Sequence, residues 1–202
     1  MHIPGITWKG ESAEDVEILP DLPTELVRSL SDTNGFILHH GALHVRGACL
    51  TPEWHSLRAV WHGPNAFHTL YPAIRPSDLP FAQDQLGDQF LIREGAVMRL
   101  VSETGQIEHM CGCLTDFFEQ VAKDVEGFLN VGLSYILEPG QLLHAYPPFC
   151  VGEASASVSL RPCPAQQVIL VHARLAKEIA DIPDGTRIEI RAPSRRTRGR
   201  TK

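Results

Sequence analysis

No apolar run in the 202 residues approaches the ~18 that a membrane-spanning helix needs. The first residues, MHIPGITWKGESAEDVE, have neither a basic start nor an apolar stretch of signal-peptide type, which argues against secretion and for the cytoplasm. Cysteine is scarce and odd in number. Cys49, Cys111, Cys113, Cys150 and Cys163 follow no framework spacing and fit reduced thiols better than a disulfide scaffold. A phosphate-binding loop, a dinucleotide fingerprint, GxSxG and HExxH are all missing, so the common enzyme signatures are absent. There is no internal repeat.

Charge is also missing from places where it would be informative. Residues 191–202, RAPSRRTRGRTK, carry five Arg and one Lys without an acid, so the formal net charge of −6 hides a body of residues 1–190 with 12 basic and 24 acidic side chains. An acidic body argues against a nucleic-acid surface and suits a basic partner, because opposed fields speed encounter. Acidic surface also serves solubility alone. The tail reads as a disordered, solvated terminus, with contact to nucleic acid or membrane as its lesser use.

What is present centres on 79–107, LPFAQDQLGDQFLIREGAVMRLVSETGQI. Two runs suited to strands, Gln89–Arg93 and Ala96–Val101, are joined by Glu94-Gly95 and predict a hairpin. In the second run Arg99 is the main polar interruption between largely apolar faces, as expected of a central strand. The turns are supplied by Asp84-Gln-Leu-Gly87-Asp88 and Glu103-Thr-Gly105. Around this hairpin the pattern predicts an irregular arm over 1–14 and a helix from Pro23 or Thr24 stopped by Asn34-Gly35. A strand pair, Phe36–Leu38 and Ala42–Val45, comes next. A second helix then opens at Thr51-Pro52 and runs to Gly63-Pro64. Residues 66–74 are ambiguous. One continuous helix is expected from Leu114 through Leu129, with Leu114, Phe117, Phe118, Val121, Val125 and Phe128 on one face. Leu133–Leu137 and Gln141–Leu143 flank Glu138-Pro-Gly140, a short strand is expected over 155–161, and a helix over 166–179 holds Ile169, Leu170, Ala173 and Ala176 inside. A last strand is expected over 187–191.

The chemistry-bearing residues stay ambiguous. His39, His40, His44, His55, His62 and His68 crowd one stretch and invite a zinc or copper site, yet no carboxylate or Cys completes a recognised motif. His109-Met-Cys111-Gly-Cys113 offers three soft ligands where a structural zinc needs four. Asp84 and Asp88 have the form of an acid–base pair or a cation site, although Asp beside Gly is ordinary turn chemistry. Trp54, Trp61 and Tyr71 suit either a binding platform or the core. No catalytic, metal or cofactor residue is assigned.

The order LPTELVRSLSDTNGF, GALHVRGA, PEWHSLRAVWHG, DLPFAQDQLGDQFLIREGAVMRLVSETGQIE, LTDFFEQVAKD resembles the SUKH superfamily. The similarity is to the Smi/Knr-like branch related to fungal regulators of cell-wall glucan synthesis, best known in bacteria as immunity proteins that neutralise polymorphic toxins. The matching motifs are the Leu-Pro helix ending in Asn34-Gly35 and the Phe81-Ala-Gln-Asp84…Gly87-Asp88-Gln89-Phe90 stretch. The resemblance covers roughly 15–130 and implies an α+β domain with a central, mostly antiparallel sheet packed by helices. Residues 131–190, beyond the resemblance, are expected to form a C-terminal αβ extension packing on or beside that core. The resemblance also implies binding a cognate toxin without catalysis or cofactor, and the acidic body suits a basic active-site cleft in that partner, such as that of a nuclease. Two alternatives are a regulatory scaffold for an endogenous protein and a metal protein or enzyme using 39–68. No interface position transfers from the family, and the candidate partner-binding residues are the carboxylates Asp78, Asp84, Asp88 and Glu94.

Overall fold

The computed structural model describes residues 4–151, 158–183 and 185–186. The expected strand over 187–191, the first residues of the one over 155–161, and the basic tail lie outside these. Seven strands, β1 (Ile6–Lys9), β2 (Phe36–Leu38), β3 (Leu43–Val45), β4 (Leu79–Asp84), β5 (Gln89–Arg93), β6 (Ala96–Val101) and β7 (Gln106–Cys111), form one sheet. Their order in space follows their order in the chain, and every pairing is antiparallel. The fold is therefore α+β around a meander, as the resemblance implies. A two-stranded sheet, β8 (Gln141–Tyr146) with β9 (Ser159–Pro164), stands beside it.

The central hairpin occupies the expected residues. Glu94 and Gly95 both have positive φ, at 54° and 87°, which a two-residue turn matched to the strand twist requires. That turn sets the register Arg93↔Ala96 through Gln89↔Leu100. Alternation then sends Phe90, Ile92 and Val97 to one face and Leu91, Met98 and Leu100 to the other.

Both faces are covered, which is why β5 and β6 lack a polar side. On the first face lie the segment Ile18–Leu22, helix α1 (Thr24–Asp32), and helices α4 (Leu114–Lys123) and α5 (Val125–Leu129). Phe117 is the hub there, with ring centroids 5.4 Å from Phe81, 5.1 Å from Phe90 and 5.6 Å from Phe128. The second face receives Phe67 from α3 (Phe67–Leu70), Tyr71 and Ile74. Ala173 and Ala176 come to it from α6 (Ala165–Ile179), so the C-terminal part closes the main sheet.

Several expectations need correction. Residues 6–9, placed in an irregular arm, form edge strand β1. The helix expected from Thr51 begins later: Glu53–His55 is a single 3-10 turn, and α2 (Leu57–His62) is capped by Ser56, whose Oγ accepts from Ala59 N at 3.1 Å. The long helix is two, broken at Asp124, which leaves helical geometry and caps α5 by accepting from Gly127 N at 2.9 Å. Leu170 is 40% exposed, not inside. Gly35, at φ +75°, marks a close approach, since a Cβ there would run into the Val45 carbonyl and the His55 ring.

Candidate functional site

The turn-forming carboxylates Asp84 and Asp88, between β4 and β5, face inward toward Arg99 on the neighbouring strand β6. Asp88 Oδ2 accepts from Arg99 Nε at 2.8 Å and lies 2.6 Å from its terminal nitrogen; Asp88 Oδ1 accepts from Ser102 N at 2.8 Å and Ser102 Oγ at 3.0 Å. Asp84 Oδ1 ties the turn together by accepting from Leu86 N and Asp88 N at 2.9 and 3.0 Å. Its Oδ2 is buried, 3.7 Å from Arg99, and has no hydrogen-bond partner among the described residues. Burial, then the charge on Asp88, pushes the Asp84 carboxyl well above the usual range, against the opposing pull of Arg99.

Asp78 sits at the other end of the β4–β5 pair. It is buried, holds Arg93 through contacts of 2.9 and 2.6 Å, and accepts from Arg75 N at 2.7 Å. Glu94, 81% exposed, meets Arg75 at 2.6 Å. The four candidate partner-binding carboxylates therefore form no common surface. Asp84 and Asp88 share Arg99, Asp78 and Glu94 lie about five strand residues away, and Glu94 alone faces solvent. An arginine alternating with apolar residues in a two-sided strand is the signal that points to such a buried counter-ion, and Arg93 and Arg99 both carry it.

Of the clustered histidines, the fold brings His44 and His55 together. His55 Nε2 lies 2.8 Å from the Asn34 carbonyl, which only accepts, so that nitrogen carries the proton. The bare Nδ1 of His55 then accepts from His44 Nε2 at 2.8 Å, and His44 Nδ1 accepts from Gln83 Nε2 at 3.3 Å. Gln83 Oε1 in turn accepts from Arg46 at 2.6 Å and Gln89 at 3.3 Å. The result is a one-directional chain of donors under the sheet, requiring both rings neutral. Burial holds His44 well below the ordinary histidine value and brings His55 to about 4. Arg46, absent from the expectations above, is its centre: 0% exposed, it also donates to Pro80 O at 3.0 Å and Gln89 Oε1 at 2.6 Å.

Three of the cysteines and Ser102 are in settings that do not favour nucleophilic attack. Burial raises the Cys49 and Cys150 thiols to about 11 and also raises Cys111. Ser102 Oγ gives its proton to Asp88, so His172 Nδ1, 2.9 Å away, is donor to that hydroxyl rather than its base. Tyr71 is buried and donates to Ser102 O at 3.0 Å, so it is core, not platform. Among the described residues no three His, Cys, Asp or Glu side chains are grouped to hold a metal ion.

The outer side of the first helical layer is where charge meets solvent. Glu25, Asp32, Asp116, Glu119, Asp124 and Glu126 are all exposed on α1, α4, α5 and their junction, against Arg28 and Lys123. The segment leading into α1 adds exposed Glu11, Glu14, Glu17 and Asp21, while its Asp15 is held by Arg58 at 2.6 and 2.7 Å. Among the described residues no helix is long and apolar enough to cross a membrane. Comparison of the chain with protein-family models, curated proteins and solved structures gives no match.

Proposed function

We propose that this chain is a non-catalytic binding protein of the SUKH type, a cytoplasmic immunity protein that neutralises a basic cognate toxin by forming a tight complex. The observation that carries this reading is the acidic outer side of the α1–α4–α5 layer, six exposed acids against two bases on elements anchored to one shared core. A rigid surface of one sign suits fast, selective capture of an oppositely charged cleft. The unreactive settings of Ser102, Cys49 and Cys150 favour binding over catalysis as the use of this fold.

The test is surface plasmon resonance of the whole protein against catalytically disabled toxin domains from neighbouring reading frames, at low and high salt. Support is a stable complex whose association rate falls steeply with salt and drops about tenfold or more in a Glu25→Lys, Asp116→Lys, Glu119→Lys variant. A complex insensitive to both changes, or no complex together with no protection of cells from the toxin, removes the reading. Capture of housekeeping proteins alone favours the regulatory scaffold.

A further inference from the structure

Arg46 has no anion. Its guanidinium is fully buried and its hydrogen-bond partners are neutral: the Pro80 carbonyl and the amide oxygens of Gln83 and Gln89. The Phe67 ring lies 5.6 Å from the guanidinium carbon, a weak substitute for a counter-charge. Nε is buried and has no hydrogen-bond partner among the described residues. Burial draws the pKa of the side chain down to about 9, which leaves it charged at neutral pH. An isolated interior cation with an unused donor is costly, and the donor geometry of a guanidinium fits a carboxylate.

Arg46 is among the residues that line a cavity of about 230 Å³ between the main sheet's second helical layer and the C-terminal part. Its walls are apolar, chiefly Trp54, Val60, Phe67, Leu70 and Ile169. Glu53, Asn65 and Gln166, all exposed, make its outer rim. At ~30 Å³ per water the space equals roughly seven or eight waters, too small for a drug-sized ligand and suited to one ring or a short branched chain.

We propose that this cavity binds a small carboxylic acid with an aromatic or branched apolar body, its carboxylate accepting from Arg46 Nε and its body lying against Trp54, Leu70 and Ile169. The site is separate from the acidic helical layer, so it stands or falls independently of the toxin-binding reading. Because α6 supplies one wall and the α2–α3 region the other, an occupant also fastens the C-terminal part to the core.

The probes are benzoate and phenylacetate, each set against its uncharged amide, titrated into the whole protein by calorimetry and followed by the ¹⁵N resonances of arginine Nε–H groups. Expected are saturable one-to-one binding of an acid, a preference over the amide of about tenfold or more, and a shift of a single slow-exchanging Nε–H signal. Ile169→Trp, which fills the cavity from the helix side, is expected to abolish binding while the far-ultraviolet spectrum is kept. The proposal is overturned if neither acid binds, if acid and amide bind alike, or if the folded Ile169→Trp protein binds as before. The comparison of acid with amide on the unaltered chain does not depend on any variant folding.

Discussion

Arg99, midway along β6, reaches across the hairpin to hold Asp88 in the turn before β5, with both contacts on a single carboxylate oxygen at 2.8 and 2.6 Å. The other oxygen of Asp88 fixes the backbone and hydroxyl of Ser102 just after β6. One side chain thus ties both ends of the hairpin to each other and, through Ser102, to His172 of α6.

Removing that carboxylate leaves a largely buried guanidinium without its partner. Asp88→Ala is expected to lower unfolding free energy by about 3–5 kcal/mol, the usual penalty for breaking a buried pair from one side, and Asp88→Leu with Arg99→Met to recover much of it. Urea denaturation of the three proteins measures this; a double variant no more stable than Asp88→Ala would contradict it.

His55 and His172 are both brought to about 4 by burial, and His44 is lowered too. Below about pH 6.5 the unfolded chain takes up protons at these sites while the folded chain does not, so stability rises with pH through this window by about 1.4 kcal/mol per unit for each group. The stabilisation is complete above pH 6.5 and is lost as pH falls toward 4. Asp84 and Glu103, both raised mainly by burial, act with the opposite sign, so the decisive quantity is a difference. Denaturation midpoints at pH 7 and pH 5 should separate less in His172→Gln than in the wild type.

Phe117 is fully buried among Phe81, Phe90, Phe118 and Phe128, whereas Ile136 is 72% exposed. Phe117→Ala is expected to cost about 3–5 kcal/mol and Ile136→Ala to stay within about 0.5 kcal/mol. Equal effects would place the core elsewhere.

Ser56 caps α2 and Thr51 does not. Ser56→Ala should cost about 1 kcal/mol and Thr51→Ala close to nothing, as read by thermal melting.

The parts legible in the sequence are those whose signal is local. Glu94-Gly95 specifies its own turn, and the turn fixes the register of β5 and β6 without outside help. Helix α1 is legible for the same reason, through apolar spacing at Leu26 and Leu30 and the stop at Asn34-Gly35. The failures share the opposite property. Strand β4 is buried along its whole length and carries Pro80, so it lacks alternation, while β7 is an exposed edge whose His109 and Cys111 read as ligands. The apolar stripe of α4 runs on through Val125 and Phe128, so periodicity cannot register the break at Asp124. The carboxylates at 84 and 88 are legible as a turn. Their burial is not, because Arg99, Ser102 and His172 reach them from β6, the following turn and α6. The setting of Arg46 is not legible for the same reason: its surroundings are assembled from residues 67, 80, 83 and 89.

A sheet whose spatial order is its chain order can close as it leaves the ribosome, each strand finding the one made just before it. By Cys111 all seven strands exist, and by Leu129 the first face is roofed. The second face is different, because its last cover, Ala173 and Ala176, comes with a helix that begins only at Ala165. During synthesis Leu91 and Leu100 therefore stay incompletely sheltered for a further stretch of chain, the interval in which a nascent protein of this design is most exposed to aggregation and to chaperones.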